Sequence, residues 1–102
     1  MVTVVLQGDC GKPRPALVIQ SDLFSAHPSV TILPVTSELR EAPLFRIIAE
    51  PSQTNGLHRR SQVMVDKAQT VPREKLGEPF GHIEDDVMLA VNRALVVFLG
   101  FA

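Results

Sequence analysis

The sequence has little of what marks several common classes of protein. Its single cysteine, Cys10, excludes an internal disulfide and a cysteine-rich metal site. No segment approaches the roughly 18 consecutive apolar residues of a membrane-spanning helix, so we expect no association with a membrane. The formal net charge is −1, so the chain lacks the overall basic field of many nucleic-acid-binding proteins. Any nucleic-acid site must therefore be local.

Sequence motifs for cofactors, metals and nucleophiles are missing as well. The chain has no Walker loop, no Rossmann glycines and no Gly-x-Ser-x-Gly elbow. Its three histidines and one cysteine are scattered and do not form a metal-ligand spacing. We therefore predict no cofactor and no metal. Residues 1–6 are apolar but lack the charged leader of a signal peptide, so we expect a cytoplasmic protein.

What the chain does contain is typical of one ordinary globular domain, which we assign to residues 1–102. Apolar residues make up 45% of the chain and charged residues 21%. A chain of this length buries roughly 60–68% of its unfolded surface, which is enough for a single core. Arginine accounts for seven of the ten basic residues, and this bias favours bidentate contacts to phosphate.

Short apolar runs rich in β-branched residues predict five to seven strands, separated by turn residues about every eight to twelve positions. Pro34 lies near the end of the third run and predicts an edge or a bulge there. The predicted strands cover residues 2–6, 16–19, 30–35, 45–49, 62–65 and, after a kink, 67–71. A loop is predicted at residues 7–13, and short helical turns at residues 21–24, 37–41 and 72–76. This pattern favours a small barrel or sandwich.

The C-terminal part differs, because its apolar residues recur at helical spacing. Acidic residues at positions 84–86 suit the positive end of a helix dipole. The apolar positions are Val87, Met88, Val91, Leu95, Phe98 and Leu99. The fold class predicted from the residues is therefore mainly β with one C-terminal α-helix.

An arginine and two hydroxyl groups lie at the ends of two predicted strands. Arg14 lies between Pro13 and Pro15 before the second strand, so its backbone is stiff and extended. Thr36 and Ser37 follow the third strand. A guanidinium beside a hydroxyl is suited to holding a phosphate. The local sequence leaves two alternatives open, a surface ion pair for the arginine and helix capping by a hydroxyl.

The densest basic segment is at residues 58–60 (HRR). A histidine that titrates near neutral pH beside two arginines suits proton transfer on a phosphodiester. The alternative is a solvated hairpin end. Asp66 follows the fifth strand, where an aspartate commonly forms a turn. His27 and His82 lie in turns flanked by proline or glycine, and we interpret them as structural.

Four segments, taken in order, follow the pattern of a known family. Residues 12–22 (KPRPALVIQSD) look like that family's Arg-Pro-Ala-Leu-Val strand, and residues 31–37 (TILPVTS) look like its Pro-Leu-Thr-Ser-like segment. Gly56-Leu57 and residues 61–67 (SQVMVDK) look like its Gly-Leu and Ser-x-Val-x-Val-Asp-Gln segments. On these residues the chain resembles the MazF/PemK family of toxin endoribonucleases, from Gly11 over nearly all of the remaining sequence.

The resemblance implies a compact SH3-like β-barrel, of the kind found in CcdB and PemK, that forms a homodimer. It implies metal-independent cleavage of single-stranded RNA, in which the 2′-hydroxyl attacks the adjacent phosphate and leaves a 2′,3′-cyclic phosphate and a 5′-hydroxyl. Arg14 and Thr36 match the catalytic positions. The implied partner is a cognate antitoxin whose disordered tail occupies the RNA groove. The predicted substrate-binding residues are Lys12, Ser37, His58, Arg59, Arg60 and Asp66.

Several positions depart from the family pattern. The family usually has a Gly-Asp pair before its first strand, whereas this chain starts at Met1 and carries Gly8-Asp9 after that strand. The family's Asp-Gln pair reads Asp66-Lys67 here, which leaves open whether Asp66 transfers a proton and which RNA sequence is preferred. Two other functions also stay open. One is a non-enzymatic toxin that, like CcdB, binds gyrase through its C-terminal end, and the other is an RNA-binding barrel without catalysis.

Overall fold

The computed structural model describes residues 1–5, 12–42 and 44–101. Within these ranges six β-strands precede one α-helix, which confirms the predicted fold class. The elements are β1 Val2–Val4, β2 Arg14–Val18, β3 Ser29–Thr36, β4 Arg46–Ala49, β5 Ser61–Met64, β6 Gln69–Pro72 and α1 Asp85–Phe98. Cys10, the Gly8-Asp9 pair and most of the loop predicted at residues 7–13 lie outside the described residues.

The long strand β3 organises the sheet. The strand pairs are antiparallel, and the order is β1-β2-β3-β5-β4, with β6 also paired to β3. One edge of β3 pairs with β2, while the other edge pairs first with β6 and then, at its last two residues, with β5. A single bridge between Val4 and Leu76 joins the chain after β6 back to β1. The sheet is therefore barrel-like, although no continuous ladder closes it within the described ranges.

Pro34 lies inside this central strand, so the prediction of an edge at that position is wrong. It is opposite Ala16 of β2. On its other edge it lies between Ile32, the last residue paired with β6, and Val35, the first paired with β5. Proline has no N–H to donate to a ladder. A position in the gap between two partner strands tolerates that loss.

The predicted kink between the last two strands is a 3₁₀ turn, Val65–Lys67. The chain leaves β5 with Gln62 opposite Thr36 and enters β6 with Gln69 opposite Ile32. The turn thus moves the chain from the end of β3 to its middle, and β6 then runs along the strand to Ser29. The helical turns predicted at residues 21–24 and 72–76 are also present as 3₁₀ turns, Asp22–Phe24 and Arg73–Lys75.

The helical turn predicted at residues 37–41 is wrong, because this segment forms bends without a helix. The buried side chain of Gln62 explains the difference. Its amide nitrogen donates to the Arg40 carbonyl at 2.8 Å, and its amide oxygen accepts from the Arg40 N–H at 3.0 Å. These bonds satisfy backbone groups that a helix would otherwise pair.

Helix α1 packs on the sheet with the first part of its predicted apolar stripe, whereas Phe98 and Leu99 at the end of the stripe are half exposed. Val91 of the helix is fully buried in a core cluster that includes Leu33 of β3 and Val63 of β5. A second cluster of buried residues includes Ile32 of β3 and Val71 of β6. In the described part of the chain, no helix has the length and apolar character needed to cross a membrane. The two clusters hold β2 and β3 in place, and these strands carry the candidate site.

Candidate functional site

A groove crosses the end of the sheet where β2 begins and β3 ends. Its volume is about 1240 Å³, and its walls come from these two strands, the loop before β5 and the 3₁₀ turn after it. Four of the described side chains that line it are arginine, lysine or histidine, and one is a carboxylate. They are Arg14, His58, Arg59, Lys67 and Glu38. The groove therefore concentrates positive charge in a chain whose net charge is −1.

The sheet register brings Arg14 and Thr36 together. Ala16 of β2 lies opposite Pro34 of β3, and the two strands are antiparallel. Continuing this register by two residues places Arg14 opposite Thr36, and both side chains line the groove. Opposite residues of an antiparallel pair share one face of the sheet. The predicted juxtaposition at one end of the sheet is thus present, while the roles of the two residues stay predictions.

The hydroxyl of Thr36 has a fixed position. Its oxygen accepts a hydrogen bond from the backbone N–H of Glu38 at 3.0 Å. Because a threonine hydroxyl is one donor as well as an acceptor, this bond leaves its proton for a ligand in the groove. Ser37 also lines the groove. No helix follows Thr36 directly, so its hydroxyl does not cap one, and its bond to the Glu38 N–H stabilises a bend and is compatible with ligand binding.

The loop before β5 carries His58 and Arg59 into the groove, and the buried Asn55 holds its shape. The side-chain oxygen of Asn55 accepts from the N–H groups of Ser52 at 3.1 Å and Leu57 at 2.9 Å. Gly56 has a φ of 72°, a left-handed conformation that glycine adopts without strain. The Asn-Gly pair is a turn signal in the sequence, but the sequence does not show that Asn55 is buried.

Glu84 joins this loop to the start of α1. Its carboxylate accepts from the Ser52 hydroxyl at 2.6 Å and from the Asn55 amide at 2.9 Å. The same amide also donates to the Glu50 carbonyl at 2.7 Å. The hydrogen bonds from Ser52 and then Asn55 hold the pKa of Glu84 below its usual value. Sequence reasoning missed this cluster, since no local pattern links residues so far apart.

Three of the predicted substrate-binding residues lie outside the lining of the groove. Asp66 accepts from the guanidinium of Arg46 at 3.1 Å, in an ion pair whose side chains are 22% and 9% exposed respectively. Arg60 forms a 3.3 Å ion pair with Glu50, and Lys12 is exposed before β2. Of the eight predicted site residues, the structure brings together five, which are Arg14, Thr36, Ser37, His58 and Arg59.

Among the groove residues that the sequence reasoning missed, three bring a charge or an aromatic ring. Lys67 follows Asp66 and lines the groove although Asp66 does not. Glu38 contributes the carboxylate, and Phe80 contributes an aromatic ring from the segment between Leu76 and α1. Phe80 lies between Pro79 and Gly81. These neighbours disfavour a helix or strand that would bury the ring, and this was the signal in the sequence that could have identified it.

The histidines at positions 27 and 82 are not among the residues that line the groove. The ring of His27 accepts from the N–H of Ser29 at 3.1 Å, and the backbone N–H of His82 donates to the Thr54 carbonyl at 2.7 Å. Both contacts fit the structural interpretation. Within the described residues, no three histidine, cysteine, aspartate or glutamate side chains lie close enough together to hold a metal ion.

Known proteins share both the sequence pattern and the fold. Residues 2–99 match the family described as PemK-like, MazF-like toxin of type II toxin–antitoxin system. The chain is 48% identical over 92 residues to the probable endoribonuclease MazF of Mycolicibacterium smegmatis, over 90% of this chain and 84% of that protein. The structure of the Mycobacterium tuberculosis toxin MazF-mt6 has a TM-score of 0.79 at 26% identity, covering 98% of this chain and 97% of the toxin.

A third comparison supports the fold alone. A mycobacterial endoribonuclease solved in complex with its cognate antitoxin has a TM-score of 0.81 at 22% identity, over 99% of this chain and 92% of that one. The family match spans β2, β3 and the loop before β5, so it includes the elements that form the groove. The resemblance noted in the sequence is confirmed, and the chain belongs to the PemK-like and MazF-like toxins of type II toxin–antitoxin systems.

Proposed function

We propose that the protein is the toxin of a toxin–antitoxin pair and a metal-independent endoribonuclease that cleaves single-stranded RNA in the cytoplasm. The 2′-hydroxyl attacks the adjacent phosphate, the bond to the 5′-oxygen breaks, and the products carry a 2′,3′-cyclic phosphate and a 5′-hydroxyl. The observation that carries the proposal is the juxtaposition of Arg14 and Thr36 in a groove lined by further cations. A relative with 48% identity is named a probable endoribonuclease.

The reacting phosphate lies between Arg14 and Thr36. Attack by the 2′-hydroxyl builds negative charge on the non-bridging oxygens, and donors already aimed at those oxygens stabilise that charge. The guanidinium of Arg14 donates to two oxygens at once. The hydroxyl of Thr36, whose oxygen is held by the Glu38 N–H, donates one more hydrogen bond. Arg14 also takes part in proton transfer in this proposal.

Proton transfer needs a further group that can both accept and donate a proton, as an imidazole can. His58 lines the groove, whereas Asp66 is held in its ion pair with Arg46. We therefore assign a proton-transfer role to His58 and a supporting role to Asp66. Arg59 and Ser37 contact the phosphates beside the scissile one. Lys12 and Arg60 extend the cationic surface to either side of the groove.

The same cationic groove is the binding site for the antitoxin in this proposal. A disordered segment with carboxylate side chains competes with RNA for Arg14 and Arg59. The protein acts as a homodimer, which accounts for the exposed apolar side chains at the end of α1, among them Val97, Phe98 and Leu99. Sedimentation that finds only an 11.2 kDa species at micromolar concentration contradicts the homodimer without affecting the cleavage mechanism.

Cleavage of single-stranded RNA in the presence of a chelator tests the proposal. Wild-type protein should leave 5′-hydroxyl ends, and DNA should resist because it lacks the 2′-hydroxyl. Arg14→Ala should slow cleavage by about 10²–10³-fold, the scale of a lost transition-state donor. Arg14→Lys should not restore the rate, because an ammonium cannot reproduce the two-pronged contact. Thr36→Val should have a smaller but clear effect.

Two outcomes would favour the alternative functions. Inhibition of gyrase supercoiling with no RNA cleavage supports a CcdB-like toxin, and RNA binding without cleavage supports a barrel that has lost catalysis. Cleavage that requires added magnesium, or an Arg14→Ala variant as fast as wild type, contradicts the mechanism.

A further inference from the structure

Phe80 is placed where an aromatic ring can meet a bound strand. The chain has five phenylalanines and no tryptophan or tyrosine, and Phe80 is the one that lines the groove among the described residues. Phe80 is 38% exposed to solvent. It lies outside the helices and strands, in the segment between Leu76 and α1, so packing of a regular element does not explain its position.

The backbone of Gly56 supports the ring directly. A Cβ placed on Gly56 would lie 2.7 Å from Cδ1 of Phe80 and 3.3 Å from Cε1. Only a residue without a side chain allows the ring to lie this close to the backbone. The left-handed conformation of Gly56, with φ of 72°, independently favours glycine there. The loop that carries the cations therefore also forms the support for the ring.

Backbone contacts also fix the segment that carries the ring. The N–H of Phe80 donates to the Met1 carbonyl at 3.0 Å. Gly81 packs so closely on the backbone of Thr54 and Asn55 that a Cβ there would overlap the Asn55 carbonyl. Asn55 is in turn held by Glu84. The ring is thus fixed in place before any ligand binds, which reduces the entropy lost on binding.

The position of the ring relative to the cations indicates its ligand. His58 and Arg59 follow Gly56 by two and three residues and line the same groove. Proteins that bind single-stranded nucleic acids combine cations for the phosphates with aromatic faces for the bases. We propose that Phe80 stacks on a nucleobase of the bound strand and forms a base subsite beside the phosphate site of Arg14. This inference rests on the proposed function, which supplies single-stranded RNA as the ligand.

Equilibrium binding of uncleavable strands tests the subsite separately from catalysis. The probes are oligo(dA) and an abasic strand with the same number of phosphates. Wild-type protein should bind oligo(dA) more tightly, and Phe80→Ala should lose about 5- to 100-fold in affinity for oligo(dA), the range for one base stacked on an aromatic ring. Its affinity for the abasic strand should not change. Phe24→Ala, at an exposed phenylalanine outside the groove lining, is the matched control and should bind both strands like wild type.

Two further variants guard against a folding defect. Phe80→Leu retains apolar packing on Gly56 but lacks the flat π face, so it should bind oligo(dA) nearly as weakly as Phe80→Ala. Phe80→Trp introduces the only tryptophan, and its fluorescence should be quenched by oligo(dA) but not by the abasic strand. In RNA cleavage, the Phe80→Leu variant should show a higher KM with kcat largely retained.

The outcomes separate this inference from the proposed function. If wild-type protein cleaves RNA but Phe80→Leu binds oligo(dA) as tightly as wild type does, the base subsite is wrong and the endoribonuclease proposal stands. Equal wild-type affinity for oligo(dA) and the abasic strand also overturns the subsite. If wild-type protein neither binds nor cleaves any strand, both proposals are wrong.

Discussion

Replacing Asn55 with alanine should destabilise the protein more than any other single substitution of a polar side chain in the loop before β5. The Asn55 side chain is fully buried and makes four hydrogen bonds, to Ser52, Leu57, Glu50 and Glu84. A typical hydrogen bond contributes about 1 kcal/mol net to the free energy of unfolding. Its loss costs more when the remaining group is charged or stays buried with no other hydrogen bond. Allowing for water entering the space left by the amide, we expect a loss of about 3–4 kcal/mol in the free energy of unfolding.

A loss of this size is a large fraction of the roughly 5–15 kcal/mol that stabilises most domains. For a domain of this length each kcal/mol changes the melting temperature by about 4–8 °C, so Asn55→Ala should melt roughly 12–32 °C below wild type. Thermal and denaturant unfolding followed by circular dichroism measure the change. Asn92→Ala is the matched control, because Asn92 is exposed on α1 and alanine is the better helix former.

The variant Asn55→Asp tests the same hydrogen bonds by introducing a negative charge. Aspartate can accept from Ser52 and Leu57, but at neutral pH it cannot donate and its charge faces the carboxylate of Glu84. The repulsion raises the folded-state pKa of the new carboxyl. The variant should therefore recover stability relative to Asn55→Ala as the pH falls and that carboxyl is protonated. A melting temperature of Asn55→Ala within a few degrees of Asn92→Ala would refute this account of the loop.

Three other predictions concern the charges around the groove. Hydrogen bonds lower the folded-state pKa of Glu84, so the stability that its carboxylate provides is present at neutral pH and is lost as the pH falls below about 4.5. The melting temperature of Glu84→Gln should therefore fall less steeply between neutral and acid pH than that of wild type. Asp66→Asn breaks a partly exposed ion pair and should lower the free energy of unfolding by about 1–2 kcal/mol, which lowers the melting temperature by several degrees. If it instead slows RNA cleavage as much as Arg14→Ala does, Asp66 takes part in the reaction. The logarithm of the affinity for single-stranded RNA should fall with the logarithm of salt concentration by about 0.7 per phosphate contact, and an Arg59→Ala slope equal to the wild-type slope would exclude Arg59 from those contacts.

Much of the fold could be predicted from the sequence because its signals are local. The apolar stripe of α1 and the apolar runs of the strands gave the order of the elements. The partners of β3 were not predictable in the same way, since one edge of that strand pairs with both β6 and β5. The bends at residues 37–41 were missed because the side chain that stabilises them, Gln62, lies 22 positions from Arg40.

The part of the candidate site that was predictable is the part set by the order of the strands along the chain. An antiparallel register places the start of β2 beside the end of β3, so Arg14 and Thr36 meet. The positions of the Arg60 and Asp66 side chains outside the groove were not predictable from the sequence. Arg60 pairs with Glu50 and Asp66 with Arg46, and both partners lie on other parts of the chain. Sequence neighbours of groove residues need not face the groove.

The carboxylates that support the groove lie outside it, and this separation gives the site its positive character. Glu84 holds Asn55, and through it the loop that delivers His58 and Arg59. Asp66 holds the 3₁₀ turn that delivers Lys67, because its ion pair joins that turn to β4. Each acidic side chain thus stabilises a backbone segment whose neighbouring cation enters the groove. A chain with a net charge of −1 can in this way form a local cationic surface, because Glu84 and Asp66 are engaged outside the groove and Glu38 is the one carboxylate among the described residues that line it.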